Sequence, residues 1–185
     1  MKHNMKKIFA SSIAAVAIPM ATFAQGAAQA AAPTINSGNT AWMIMATILV
    51  MLMTIPGLAL FYGGLVRQKN VLSVIMQCLA CVAVVSIMWV AFGYSWVFGT
   101  GFKESGSFLN FFIGGFDKVF LNGVTTSSLT TPANIPEIIF VLFQCMFAVI
   151  TPALIIGAFA ERIRFSGFLL FSILWSIIVY NPMAH

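Results

Sequence analysis

Four long apolar runs occupy most of the chain, at residues 41–66, 71–98, 138–160 and 166–184. A helix rises about 1.5 Å per residue, so each run can cross a hydrocarbon core of about 30 Å, the longer ones with tilt. Each is predicted to be a membrane-spanning helix, since a helix satisfies its own backbone hydrogen bonds in lipid. Only "RQKN" separates the first two runs, which makes them antiparallel neighbours. Residues 99–134 turn to Gly, Ser, Thr and Asn with charges of both signs, an extramembrane loop in which "FLNFFIGGFDKVFL" suggests a short interfacial helix. "TTPANIPE" reads as a helix entry, with Asn134 as the cap, Pro136 at an early helical position and Glu137 complementing the helix dipole. "ERIRF" closes the third run. The expected fold class is all-α, a polytopic helical membrane protein with about four spans.

The residues ahead of the first run follow another pattern. Met1 to Lys7 is a basic n-region, Ile8 to Ala24 is apolar and rich in Ala, and Ala-x-Ala patterns follow at 28–30 and 30–32. This predicts a cleaved signal peptide over 1–30, an extracytoplasmic linker over 31–40 and a membrane domain over 41–185.

Composition agrees with the runs: 61% of the residues are hydrophobic and 7% charged, where a soluble domain carries about a quarter charged. The net charge of +5 includes Lys2, Lys6 and Lys7 of the leader, and no basic stripe remains to suggest nucleic acid. Arg67 and Lys69 lie in one short loop and Arg162 and Arg164 in another. The positive-inside rule places both loops in the cytoplasm and the mature N-terminus outside. Cys78, Cys81 and Cys145 fall inside apolar runs and read as small helix residues, without the polar setting that a Cys-x-x-Cys pair needs for redox or metal chemistry.

Candidate chemistry is sparse. The four runs contain no Asp, Lys or His, so neither a catalytic constellation nor a metal or cofactor site is expected. Glu161, next to Arg162 and Arg164, suits an interfacial salt bridge or a helix-packing ligand. Gly57, Ala59, Gly63 and Gly64, and again Ala153 and Gly157, are small residues that would let helices approach closely. Phe140, Phe143, Gln144 and Phe147 follow i, i+3, i+4, i+7 spacing, which puts three rings and one amide on one helical face. Such a face either fills a bundle core or forms an apolar constriction that controls hydration and passage.

Two stretches resemble the ammonium transporter family (Amt/Mep/Rh). Asn39 to Gln77, with "PGLALFYGGLVRQKN", is similar to its first two helices, and Phe143 to His185, with "GAFAERIRF", to its third and most of its fourth. The resemblance implies a homotrimer in which each subunit has about eleven helices, arranged as two inverted halves around its own pore. It implies transport across the inner (cytoplasmic) membrane for nitrogen uptake. Ammonium would be recruited at an outer aromatic site, lose a proton and cross as ammonia. By the same resemblance Phe147 matches the gate-side Phe of the recruiting site, with Phe143 and Gln144 one turn earlier. Phe61 and Tyr62 match pore-facing aromatics near the inner end, and Tyr180 matches a residue near the outer vestibule. The family's recruiting Trp, its supporting Asp and its paired pore His fall past His185, so the chain is expected to be the N-terminal part of a longer protein. Alternatives are an ammonium sensor built on the same membrane domain, or a truncated fragment inactive alone. The substrate would be ammonium or ammonia, the surroundings a lipid bilayer, and a cytosolic nitrogen-regulatory trimer a possible partner at the inner mouth.

Overall fold

The computed structural model describes residues 34–185 apart from 105. The predicted signal peptide, and the linker up to residue 33, lie outside the described residues. Among the described residues four helices are long and apolar enough to cross a membrane. The first, α1, is Ser37–Leu65. It starts earlier than the hydropathy pattern predicts because Asn36 caps it, its side chain accepting the Asn39 main-chain N–H at 3.0 Å. Inside α1, Ile55 adopts extended dihedrals (φ −129°, ψ 110°) ahead of Pro56. Proline lacks an N–H and disfavours a helical residue before it, so α1 consists of two rods, Ser37–Leu52 and Ala59–Leu65, joined through Met53–Leu58. The second helix, α2, covers 71–98 with a widened turn at Trp89–Gly93. The third, α3, is Glu137–Phe159, and the fourth, α4, is Phe165–Ala184 with a widened turn at Ser176–Tyr180.

The loop between α2 and α3 departs from expectation. In place of one interfacial helix there are two short turns, Phe108–Phe111 and Val119–Leu121. Between them the Gly114 N–H donates to the Trp96 carbonyl at 2.6 Å, and a β-carbon at Gly114 would collide with the Gly99 backbone. Two strands of chain cross there, and a continuous helix could not bring them so close. Two short strands, β1 (Leu129–Thr130) and β2 (Ile135–Pro136), pair antiparallel before α3. Asn134 is therefore not the helix cap. It sits at φ +52° in the return between β1 and β2, and its carbonyl accepts the Asn36 N–H at 3.0 Å. Pro136 occupies the capping position and Glu137 is the first helical residue.

These contacts fix the directions of the helices. The starts of α1 and α3 lie together, because Asn39 Nδ2 also donates to the Ala133 carbonyl at 2.9 Å. At the other end the α1–α2 loop meets the α3–α4 loop, where Arg67 N and Asn70 Nδ2 both donate to Glu161 Oε1 at 2.9 and 2.8 Å. Both basic loops thus share one end of the bundle. Two apolar clusters hold it together. One joins Val85, Trp89 and Tyr94 of α2 to Val141, Cys145 and Ala148 of α3. The other joins Ala59 of α1, Cys78 and Cys81 of α2, Ala153 and Ile156 of α3, and Phe168 of α4. Three small residues among these, Cys78, Cys81 and Ala153, are fully buried, as close helix approach requires. The small residues of α1 divide: Ala59 and Gly63 are buried, whereas Gly57 and Gly64 are exposed and nothing lies within 4 Å of a β-carbon built at Gly64.

Candidate functional site

Successive residues of a helix turn by about 100°, so the buried positions of α3 define its inward face. Val141, Cys145, Ala148, Val149, Pro152 and Ile156 form that face, against α2 along its length and against Ala59 of α1 and Phe168 of α4 toward its end. Phe143 and Phe147 project from the opposite side, their ring centroids 5.1 Å apart at 70°, an edge-to-face pair, and Phe147 is 40% exposed. Gln144 is half-buried on the same turn. Phe140 separates from them: its ring packs on Phe98 at 5.1 Å and belongs to the Val85–Trp89 cluster. The predicted stripe is therefore two devices, a core ring at Phe140 and an outward pair at Phe143 and Phe147.

The other predicted residues lie elsewhere. Phe61 and Tyr62 are near the loop end of α1, with rings 5.3 Å apart. Tyr62 Oη donates to the Leu154 carbonyl at 2.8 Å and its ring lies over Gly157, so the glycine on α3 is the seat for a tyrosine on α1. Tyr62, Leu154, Gly157 and Glu161 border a cavity of about 480 Å³. Phe61 is exposed. Tyr180 is half-buried at the far end, its ring 6.4 Å from Trp89 and 6.3 Å from Trp175. The six residues fall into three groups, and no ring contact between the groups is seen among the described residues.

Glu161 adopts φ +66° in the turn after α3, and its carboxylate accepts from neutral donors, Arg67 N–H and the Asn70 amide, where an ion pair with a neighbouring arginine was one of the expectations. Those hydrogen bonds, Asn70 first and then Arg67, hold the carboxyl below the ordinary carboxylate range. The sign follows from linkage. A depressed folded-state value stabilises the fold at pH above the unfolded carboxyl's range, and that contribution disappears as pH falls through the folded value. In the full-length protein, Glu161→Gln should lower the thermal midpoint near pH 7, and the gap to the parent should narrow as pH falls below the ordinary carboxylate range. A gap that stays constant with pH would contradict this.

A second polar constellation, at the end of the bundle away from the basic loops, escaped the sequence reading. Glu137, 8% exposed, accepts from Tyr94 Oη at 2.7 Å and pairs with the Lys118 ammonium, which also stands 5.5 Å from the centre of the Tyr94 ring. They line a cavity of about 550 Å³ together with Thr130, Thr131 and Phe140. Glu137 was visible as a helix-start acid, but Tyr94 and Lys118 are 43 and 19 residues away from it in sequence, and no spacing rule links them. Among the described residues no group of His, Cys, Asp and Glu could hold a metal ion. Cys81 Sγ is 3.8 Å from Ser172 Oγ, a core contact between α2 and α4.

A family model described as Ammonium Transporter Family matches residues 41–185. The chain is 49% identical over 148 residues to an ammonium transporter of Bacillus subtilis, covering 80% of this chain and 34% of that protein. It is 43% identical over 152 residues to an ammonium transporter of Aquifex aeolicus, covering 82% and 34%. Among solved structures it is similar to Saccharomyces cerevisiae Mep2, with TM-score 0.68, 32% identity and coverage of 82% of this chain and 32% of that one. The chain thus spans about a third of the length of the relatives it matches.

Proposed function

This chain belongs to the ammonium transporter family and is a multi-pass membrane protein, and on that premise we propose that the protein it forms part of takes ammonium from outside the cell and conducts ammonia through a hydrophobic pore. The family match over the whole of 41–185 carries the reading. The outward Phe143–Phe147 pair supports it, because large rings held off the core of these four helices are placed to meet further helices or a lumen.

Physical chemistry supplies the order of events. A ring face attracts a cation by about 0.5 to 2 kcal/mol, depending on how far both are desolvated. A bare ammonium ion inside an apolar conduit is strongly penalised, and neutral ammonia is not. Recruitment at rings followed by loss of the proton therefore allows selection of the cation without carrying its charge through lipid-like surroundings. Phe147 is assigned to the outer gate, with Phe143 and Gln144 beside it, Phe61 and Tyr62 toward the inner end and Tyr180 toward the outer vestibule. The shared end of the basic loops is assigned to the cytoplasm, which puts the mature N-terminus outside the inner membrane. Exposed apolar side chains on the spans, Ile48, Leu60, Ile87 and Leu170 among them, provide surfaces for lipid, further helices and neighbouring subunits of a trimer. A cytosolic nitrogen-regulatory trimer would meet the protein at the basic end.

Phe147→Ala in the full-length protein should change labelled methylammonium uptake about tenfold, the loss of an interaction of roughly 1.4 kcal/mol. Unchanged uptake at equal membrane expression would remove Phe147 from the gate. Loss of uptake for every variant and for the parent would remove the transport reading itself.

A further inference from the structure

Lys118 places a primary ammonium group where two features that recognise such a group meet. The carboxylate of Glu137, on a side chain 11% exposed, accepts its N–H, and the face of Tyr94 stands 5.5 Å from the nitrogen. Neither feature depends on the lysine for its position. Tyr94 is 2% exposed, bonded through its hydroxyl to the same carboxylate oxygen and packed on Phe98 at 5.3 Å. Glu137 is fixed as the first residue of α3, with its main-chain N–H on the Ser128 carbonyl at 2.8 Å. Lys118 is held through its own backbone, whose N–H donates to Ser95 Oγ at 3.0 Å, so its ammonium is a tethered occupant of a site other residues build. The adjoining cavity of about 550 Å³ leaves room for a small cation in place of that side chain.

We propose that Tyr94 and Glu137 form a binding site for a primary ammonium group, occupied in this structure by Lys118 and open to a free primary ammonium ion when the lysine is removed or lifted away. The chemistry sets the selectivity. A primary ammonium offers three N–H donors to the carboxylate as well as charge to the ring, whereas potassium lacks the donors and tetramethylammonium lacks them and is bulky. Two sources share that chemistry, a soluble primary ammonium ion such as methylammonium and the ethanolamine headgroup of a phospholipid.

The test is chemical rescue in the full-length protein, held in nanodiscs of phosphatidylcholine. Lys118→Ala should lower the thermal midpoint, and methylammonium chloride should restore it at a concentration about tenfold below that giving an equal shift in the parent. Potassium chloride and tetramethylammonium chloride at equal ionic strength should not. Lys118→Met, which keeps an unbranched stem, provides a second background for titration calorimetry if the Ala variant fails to fold or its midpoint hardly moves. Glu137→Gln combined with either variant should abolish the response, which separates this site from any other place where the protein binds ammonium. Exchange of phosphatidylcholine for phosphatidylethanolamine distinguishes the sources: recovery with no soluble amine assigns the ligand to the lipid headgroup. The proposal is overturned if potassium or tetramethylammonium rescues equally, if the combined variants still respond, or if the lysine variants show neither rescue nor binding beyond the parent. Phe147→Ala should leave the rescue intact, so failure of the transport reading and failure of this site would be distinguishable.

Discussion

Glu137→Ala is expected to destabilise the full-length protein by about 3 kcal/mol, through two groups that share one oxygen. Tyr94 Oη donates to Glu137 from a position only 2% exposed, and truncation leaves that hydroxyl without its acceptor. The Lys118 ammonium loses its counter-charge at the same time, although its side chain is 29% exposed and water can partly compensate. The loss is thus placed near the low end of the range for breaking a buried pair, and most of it belongs to the stranded tyrosine and the emptied carboxylate site. Reversible unfolding in mixed micelles would measure it. A change below about 1 kcal/mol would mean that water satisfies the site as well as the carboxylate does.

Gly157→Ala should cost about 1 to 3 kcal/mol, the range for forcing an extra group into a packed contact. A β-carbon there would stand 2.6 Å from Tyr62 Cε1 and 3.1 Å from Cζ. The ring cannot swing aside freely, because its hydroxyl is bonded to the Leu154 carbonyl on the same helix that carries Gly157. In a double-variant cycle with Tyr62→Ala, the penalty at Gly157 should largely disappear, giving a coupling of about 1 kcal/mol or more. An additive cycle would show that the glycine serves the backbone of α3 rather than the tyrosine of α1.

The small-residue pattern of α1 and α3 shows what a sequence conveys and where it stops. Gly57, Gly63, Gly64 and Gly157 look alike as spacing, yet Gly157 carries a ring, Gly63 is buried, and Gly64 has open space around it. The Phe run of α3 is similar. The i, i+3, i+7 spacing of Phe140, Phe143 and Phe147 was legible, but the neighbouring Phe98 takes Phe140 into the core while the other two stay outside it. Asn134 carried a capping residue's chemistry, and the β1–β2 return used it for a positive-φ turn instead. The loop 99–134 was the least legible part, since its path is set by the crossing of Gly114 on Gly99 and not by a periodic pattern.

What the sequence determined by itself was the number of spans, their approximate ends and the pairing of the two basic loops at one end. Those follow from local quantities, the length of each apolar run measured against a bilayer and the positions of a few charges. Tertiary structure alone decided which face of each helix turns inward, which glycine receives the tyrosine, and that Glu137 meets both Tyr94 and Lys118. The reason is that lipid and a neighbouring helix are equally apolar, so hydrophobicity does not mark one face from another in a span. Close packing and the satisfaction of a few buried polar atoms make that choice, and both depend on residues far apart in the chain.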